Sequence, residues 1–139
     1  FTYGPVRFIV LDCGEDKPDT DVEYSGLIDF DSYMLEQKDW LSREIDNPEF
    51  KNASYRVVIS HIPFTKGGWY GSERLRKQLL SLLEQAQIDL MLSGHEHAFG
   101  FSDKGNAASF PIIVNSNNSV LTLFASNHSL KNSDAKQAS

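Results

Sequence analysis

The sequence has a single cysteine, Cys13, which rules out an intrachain disulfide and any Cys-x-x-Cys metal motif. It also lacks a run of the roughly eighteen uninterrupted apolar residues needed to cross a membrane as a helix, so a membrane is not an expected partner. Basic charge is sparse: 13 Lys and Arg stand against 19 Asp and Glu, a net charge of -6 with no dense basic run. Nothing in that distribution could neutralise a row of phosphates, which excludes a nucleic-acid duplex as partner. There is neither an initiator methionine nor a charged-then-apolar leader at Phe1-Thr2-Tyr3-Gly4-Pro5, and the chain is therefore read as a fragment.

What is present fits one soluble domain. A length of 139 residues allows one core, and 40% hydrophobic with 23% charged residues is an ordinary globular balance. Val6 to Asp12 is apolar and β-branched except at Arg7, as expected of a strand covered on both faces. Polar, Gly- and Pro-containing sequence from Cys13 to Asp31 predicts a long loop. Asp31 or Ser32 then caps a helix carrying Met34, Leu41 and Ile45 on one face and ending before Asn47-Pro48. Tyr55 to Ser60 predicts a second buried strand, stopped by Pro63 after His61. Leu75, Leu79, Leu82, Leu83 and Ala86 give a second helix, capped by Ser72. Asp89 to Ser93 predicts a third strand, and Pro111 to Asn115 with Val120 to Ala125 a terminal hairpin-like pair. Residues Asn127 to Ser139 are expected to be disordered. This order predicts an α/β fold, a mixed β-sheet built through right-handed crossovers with flanking helices.

Ligands of such sheets gather at the carboxyl ends of the strands, where both histidine clusters fall. His61 follows the second strand, and His95 and His97 follow the third within Gly94-His95-Glu96-His97. Imidazoles suit zinc, iron and other borderline divalent ions. On an extended backbone, the intervening residue of His-x-His would put both rings on one side and turn Glu96 away as a solvated spacer. Gly94 would let an ion or phosphate approach the backbone.

Val57-Val58-Ile59-Ser60-His61-Ile62-Pro63, followed by Leu92-Ser93-Gly94-His95-Glu96-His97, resembles the last two metal motifs of the calcineurin-like metallophosphoesterase superfamily. Gly4-Pro5-Val6-Arg7-Phe8-Ile9-Val10-Leu11-Asp12 and Glu36-Gln37-Lys38-Asp39-Trp40-Leu41 are similar to its purple acid phosphatase-like branch. The resemblance runs from Gly4 to Asn115. It implies that the chain, residues 1–139, is the C-terminal part of a catalytic domain, half of a four-layer α-β-β-α sandwich. It makes His61 and His95 ligands of one metal and His97 a ligand of the other. The family's Asp-x-His, Gly-Asp and Gly-Asn-His motifs, which supply the bridging carboxylate and the general acid, are not in this sequence, so no catalytic residue is assigned. The implied cofactors are two divalent or mixed-valence ions, Fe, Zn or Mn, with at most one bound weakly by this chain alone. The implied reaction is hydrolysis of a small phosphate-ester substrate, a monoester in preference to a nucleotide diester, with the chain itself expected to be inactive. An acid-phosphatase relationship favours a secreted or periplasmic setting.

Blander readings stand beside these. The chain could be a non-catalytic interaction module that keeps the fold, and a lone structural zinc on three histidines would need a fourth ligand that the sequence does not identify. Trp69 and Tyr70 either wall a substrate site or cover the second helix. The carboxylates from Glu15 to Glu23 read as a solvated acidic run, Cys13 as a small buried residue, and His128 as an ordinary solvated histidine. A sheet lacking its partner layer would expose an apolar face, from which a homodimer or aggregation is expected.

Overall fold

The computed structural model describes residues 1–66, 68–127 and 129–136. A six-stranded mixed sheet forms its centre. The strands are β1 (Thr2–Tyr3), β2 (Val6–Leu11), β3 (Tyr55–Ser60), β4 (Leu90–Ser93), β5 (Gly100–Ser102) and β6 (Ile112–Val114), ordered β1-β2-β3-β4-β6-β5. The inner strands β2, β3, β4 and β6 are parallel, and β1 and β5 close the two edges antiparallel. Their apolar runs follow from burial on both faces. Ile9, Leu11, Val58, Met91, Ile112 and Val114 point into the main core, while Val6, Val57, Leu90 and Ile113 point the other way into a second cluster.

Helices α1 (Phe30–Glu44) and α3 (Tyr70–Gln85) cover the main core through Met34, Leu41, Leu75, Leu79 and Leu83. Between α1 and β3 lies a short helix, α2 (Pro48–Lys51), with Asn47 as its cap and Phe50 buried. The cap of α1 is Asp29, whose carboxylate accepts from the Ser32 N–H, so the helix begins earlier than the expected Asp31 or Ser32. α3 also starts early, at Tyr70. Ser72 lies inside it and donates its hydroxyl to the Pro63 carbonyl at 2.7 Å, tying the helix to the strand-end turn instead of capping it.

The C-terminal region departs most from expectation. Residues 112–114 and 119–126 do not pair with each other: β6 enters the central sheet beside β4, and β7 (Ser119–Ser126) pairs antiparallel with β8 (Ser129–Lys136) in a second sheet. The expected disordered tail is therefore a strand as far as Lys136, and residues 137–139 lie outside the described residues. Polar composition concealed it because β7 and β8 form a two-stranded layer with only one face turned inward. Leu121, Leu123, Ala125 and Leu130 pack on the second cluster, while Val120 and Phe124 stand exposed. No helix among the described residues is long and apolar enough to cross a membrane.

Candidate metal centre

β3 and β4 are adjacent and parallel, so their carboxyl ends deliver His61 and His95 to one edge. The backbone strengthens that meeting: the Gly94 N–H donates to the His61 carbonyl at 3.0 Å. The side chains then approach, with His95 Nδ1 lying 3.3 Å from His61 Nε2. Two nitrogens held about 2.0–2.1 Å from one tetrahedral ion stand roughly 3.3 Å apart, so this pair fits a shared cation in both chemistry and spacing.

The backbone of Gly94-His95-Glu96-His97 is not the extended segment expected. β4 stops at Ser93, and His95 and His97 adopt left-handed conformations with φ of 71° and 54°. Such angles are costly for residues bearing a Cβ and concentrate where a site over-determines them. Alternation along a strand therefore does not govern these rings. His95 is largely enclosed, whereas His97 and Glu96 are exposed. The structure joins His61 to His95, and no contact brings His97 to them. Among the described residues no group of three or more His, Cys, Asp or Glu side chains is arranged to hold a metal ion. A Cβ at Gly94 would meet the His61 ring at an ordinary 3.7 Å, and the left-handed positions fall on the histidines.

Two neighbours enclose His95. Trp69 meets its ring edge-on, with centroids 5.4 Å apart, which places the indole at the histidine pair while leaving it half exposed. Tyr70, by contrast, turns to the Arg74 guanidinium, 5.4 Å from its ring. The second neighbour, Asp16, is one that sequence reasoning missed. Its Oδ2 lies 3.1 Å from His95 Nε2, so the loop carboxylates are not merely a solvated run. No motif marks Asp16, and only the folded path of the loop brings it there.

That path is fixed by a buried arginine. Arg74 Nη2 donates to the carbonyls of Cys13 and Glu15 at 3.2 and 2.8 Å, and Nη1 lies 3.6 Å from the Asp19 carboxylate. On the α1 side, the Gln37 amide accepts from the Asp12 N–H and donates to the Asp12 carbonyl, both at 2.8 Å. Gln37 thus occupies the place that a neighbouring strand would take at the end of β2. Burial pushes the Cys13 thiol above its ordinary range. His128 lies outside the described residues.

Residues 4–99 match the family of calcineurin-like phosphoesterases. Purple acid phosphatase 21 of Arabidopsis thaliana is 34% identical over 67 residues, covering 46% of this chain and 15% of that protein. Purple acid phosphatase 22 of the same plant is 32% identical over 79 residues, covering 51% of the chain and 17% of that protein. The chain thus spans less than a fifth of the length of these relatives. A solved structure described as GAP50, the anchor in the inner membrane complex of Plasmodium, superposes with a TM-score of 0.53 at 21% identity, over 80% of this chain and 32% of that one. That likeness concerns the fold alone.

Proposed function

Because the chain belongs to the calcineurin-like phosphoesterase family, we propose that it supplies part of a dinuclear metal centre that hydrolyses small phosphate monoesters. The observation that carries the proposal is the 3.3 Å approach of His95 Nδ1 to His61 Nε2 at the ends of adjacent parallel strands. In this reading His61 and His95 share one ion and His97 serves the other. The ions, Fe, Zn or Mn, supply Lewis-acid charge to the phosphoryl group and the attacking water when bound. His61 and His95 each contribute a neutral ring with one lone pair at the shared point. Trp69, half exposed beside His95, forms an apolar wall for the substrate's organic group. A secreted or periplasmic setting goes with this activity.

Two imidazoles without a bridging carboxylate cannot draw two like-charged ions together, so the 139-residue chain alone is expected to bind one ion weakly and to turn over substrate poorly or not at all. The test compares metal content and hydrolysis of an aryl phosphate between this chain and a longer one that also carries Asp-x-His, Gly-Asp and Gly-Asn-His motifs. In the longer chain, His61→Ala and His95→Ala should each lower metal content and reduce kcat by about a hundredfold or more, as expected when a metal ligand is lost. Full turnover after either substitution would refute the assignment.

A further inference from the structure

We propose that Asp16 is a positioning residue for His95, fixing the ring as its Nε2–H tautomer so that Nδ1 offers its lone pair to a cation shared with His61. The inference rests on the metal-centre reading above and extends it to a residue outside every motif of the chain.

A neutral imidazole carries one proton, and the partner of one ring nitrogen decides which nitrogen is left free to ligate. Here Nε2 faces Asp16 Oδ2 at 3.1 Å, and Nδ1 faces His61 Nε2 at 3.3 Å. A carboxylate can only accept, so Nε2 must hold the proton and Nδ1 the lone pair. The reverse tautomer would set two acceptors against each other across the Asp16 contact. It would also point an N–H at the place where the cation is expected.

The carboxylate is held where this role requires. Its other oxygen, Oδ1, is buried without a hydrogen-bond partner, and Oδ2 is the oxygen that faces the His95 ring. The preceding backbone is pinned by Arg74, through the carbonyls of Cys13 and Glu15. The first turn of α3 closes over it at Gly71, where a Cβ would lie 3.4 Å from Asp16 Oδ1, 3.3 Å from the Glu15 carbonyl and 2.7 Å from Ile62 Cδ1. A side chain at this position would force Ile62 to shift and would crowd the Glu15 carbonyl, so glycine lets α3 come this near. Trp69 also packs edge-on against the ring, with centroids 5.4 Å apart, so His95 has both an acceptor and an indole as neighbours.

The test is made on the metal-free chain labelled with 15N-histidine, where long-range proton–nitrogen spectra at neutral pH distinguish the two tautomers and the doubly protonated ring. Wild type should show His95 as the Nε2–H tautomer. Asp16→Ala should give a mixture of tautomers, and Asp16→Glu should restore part of the preference. Zinc affinity, measured by calorimetry, should fall by about 10- to 100-fold in Asp16→Ala, the usual cost of removing a carboxylate behind a ligating histidine. An unchanged tautomer in Asp16→Ala, or a doubly protonated His95 in wild type, would overturn the proposal. Far-ultraviolet circular dichroism identifies a variant that has failed to fold, and Asp16→Asn, which keeps the shape with a weaker acceptor, then takes its place. Failure of the metal-centre reading has a separate signature: zinc affinity unchanged by His61→Ala, with the tautomer result left standing.

Discussion

Cys13 lies where β2 passes into the long loop, and the residue is 6% exposed. Burial is the largest influence on its ionisation and raises its pKa, and the nearby Asp12 carboxylate acts in the same direction. In the unfolded chain the thiol ionises from about pH 8.5 upward, whereas in the folded chain it stays protonated to higher pH. A raised folded pKa contributes stability that is intact below the unfolded value and lost as pH climbs towards the folded one. Wild type should therefore lose more stability than Cys13→Ala between pH 7 and pH 10, read from urea midpoints. The same burial predicts alkylation at least about tenfold slower in buffer than in urea, because the thiolate is the reactive form. Equal pH slopes for the two proteins would show that the thiol is solvated.

Among the elements, the long apolar runs were legible in the sequence and the irregular connections were not. Val57-Val58-Ile59 and Leu90-Met91-Leu92 read as buried strands because both faces of an inner parallel strand need apolar residues, and the leucine spacing after Ser72 marks α3. β5, with only Gly100–Ser102, carries no periodicity to read, and β8 is too polar to announce itself. The histidine pair was legible through strand ends, but the left-handed backbone at His95 and His97 was not, since no local residue preference demands it. Asp16 was invisible for a related reason: its position depends on Arg74, 58 residues further along the sequence by subtraction of 16 from 74. Arg74→Met keeps the apolar stem but removes the Nη2 donor shared by the two loop carbonyls. It should cost about 2 kcal/mol, the usual range for hydrogen bonds from a charged donor. It should also release the loop, so that a glutamyl endopeptidase cleaves after Glu23 several-fold faster than in wild type. An unchanged rate of cleavage after Glu23 in the variant would mean that other contacts hold the loop.

For the whole molecule, what matters is how far the sheet's second face is covered. The partner layer expected to be missing is supplied in part by β7 and β8, whose inward side chains pack on Val6, Val57, Leu90 and Ile113. Coverage is uneven. Val10, on the same side of β2 as Val6 and Phe8, remains 55% exposed, and on the hairpin's outer face Phe124 is 59% exposed. Phe1 stacks on Phe8 at 4.9 Å and is itself exposed, which adds to the apolar surface near β2. Exposed apolar side chains of this kind drive association when no other layer covers them, and a net charge of -6 opposes that tendency only weakly at physiological salt. The chain alone should therefore self-associate as concentration rises and bind a hydrophobic dye, both measurable by sedimentation equilibrium and fluorescence. Val10→Lys combined with Phe124→Lys should shift the population to monomer and reduce dye binding, while stability changes by no more than about 0.5 kcal/mol per site, because both positions are exposed. If wild type stays monomeric up to its solubility limit, the hairpin already covers the sheet well enough, and the second face is not an association surface.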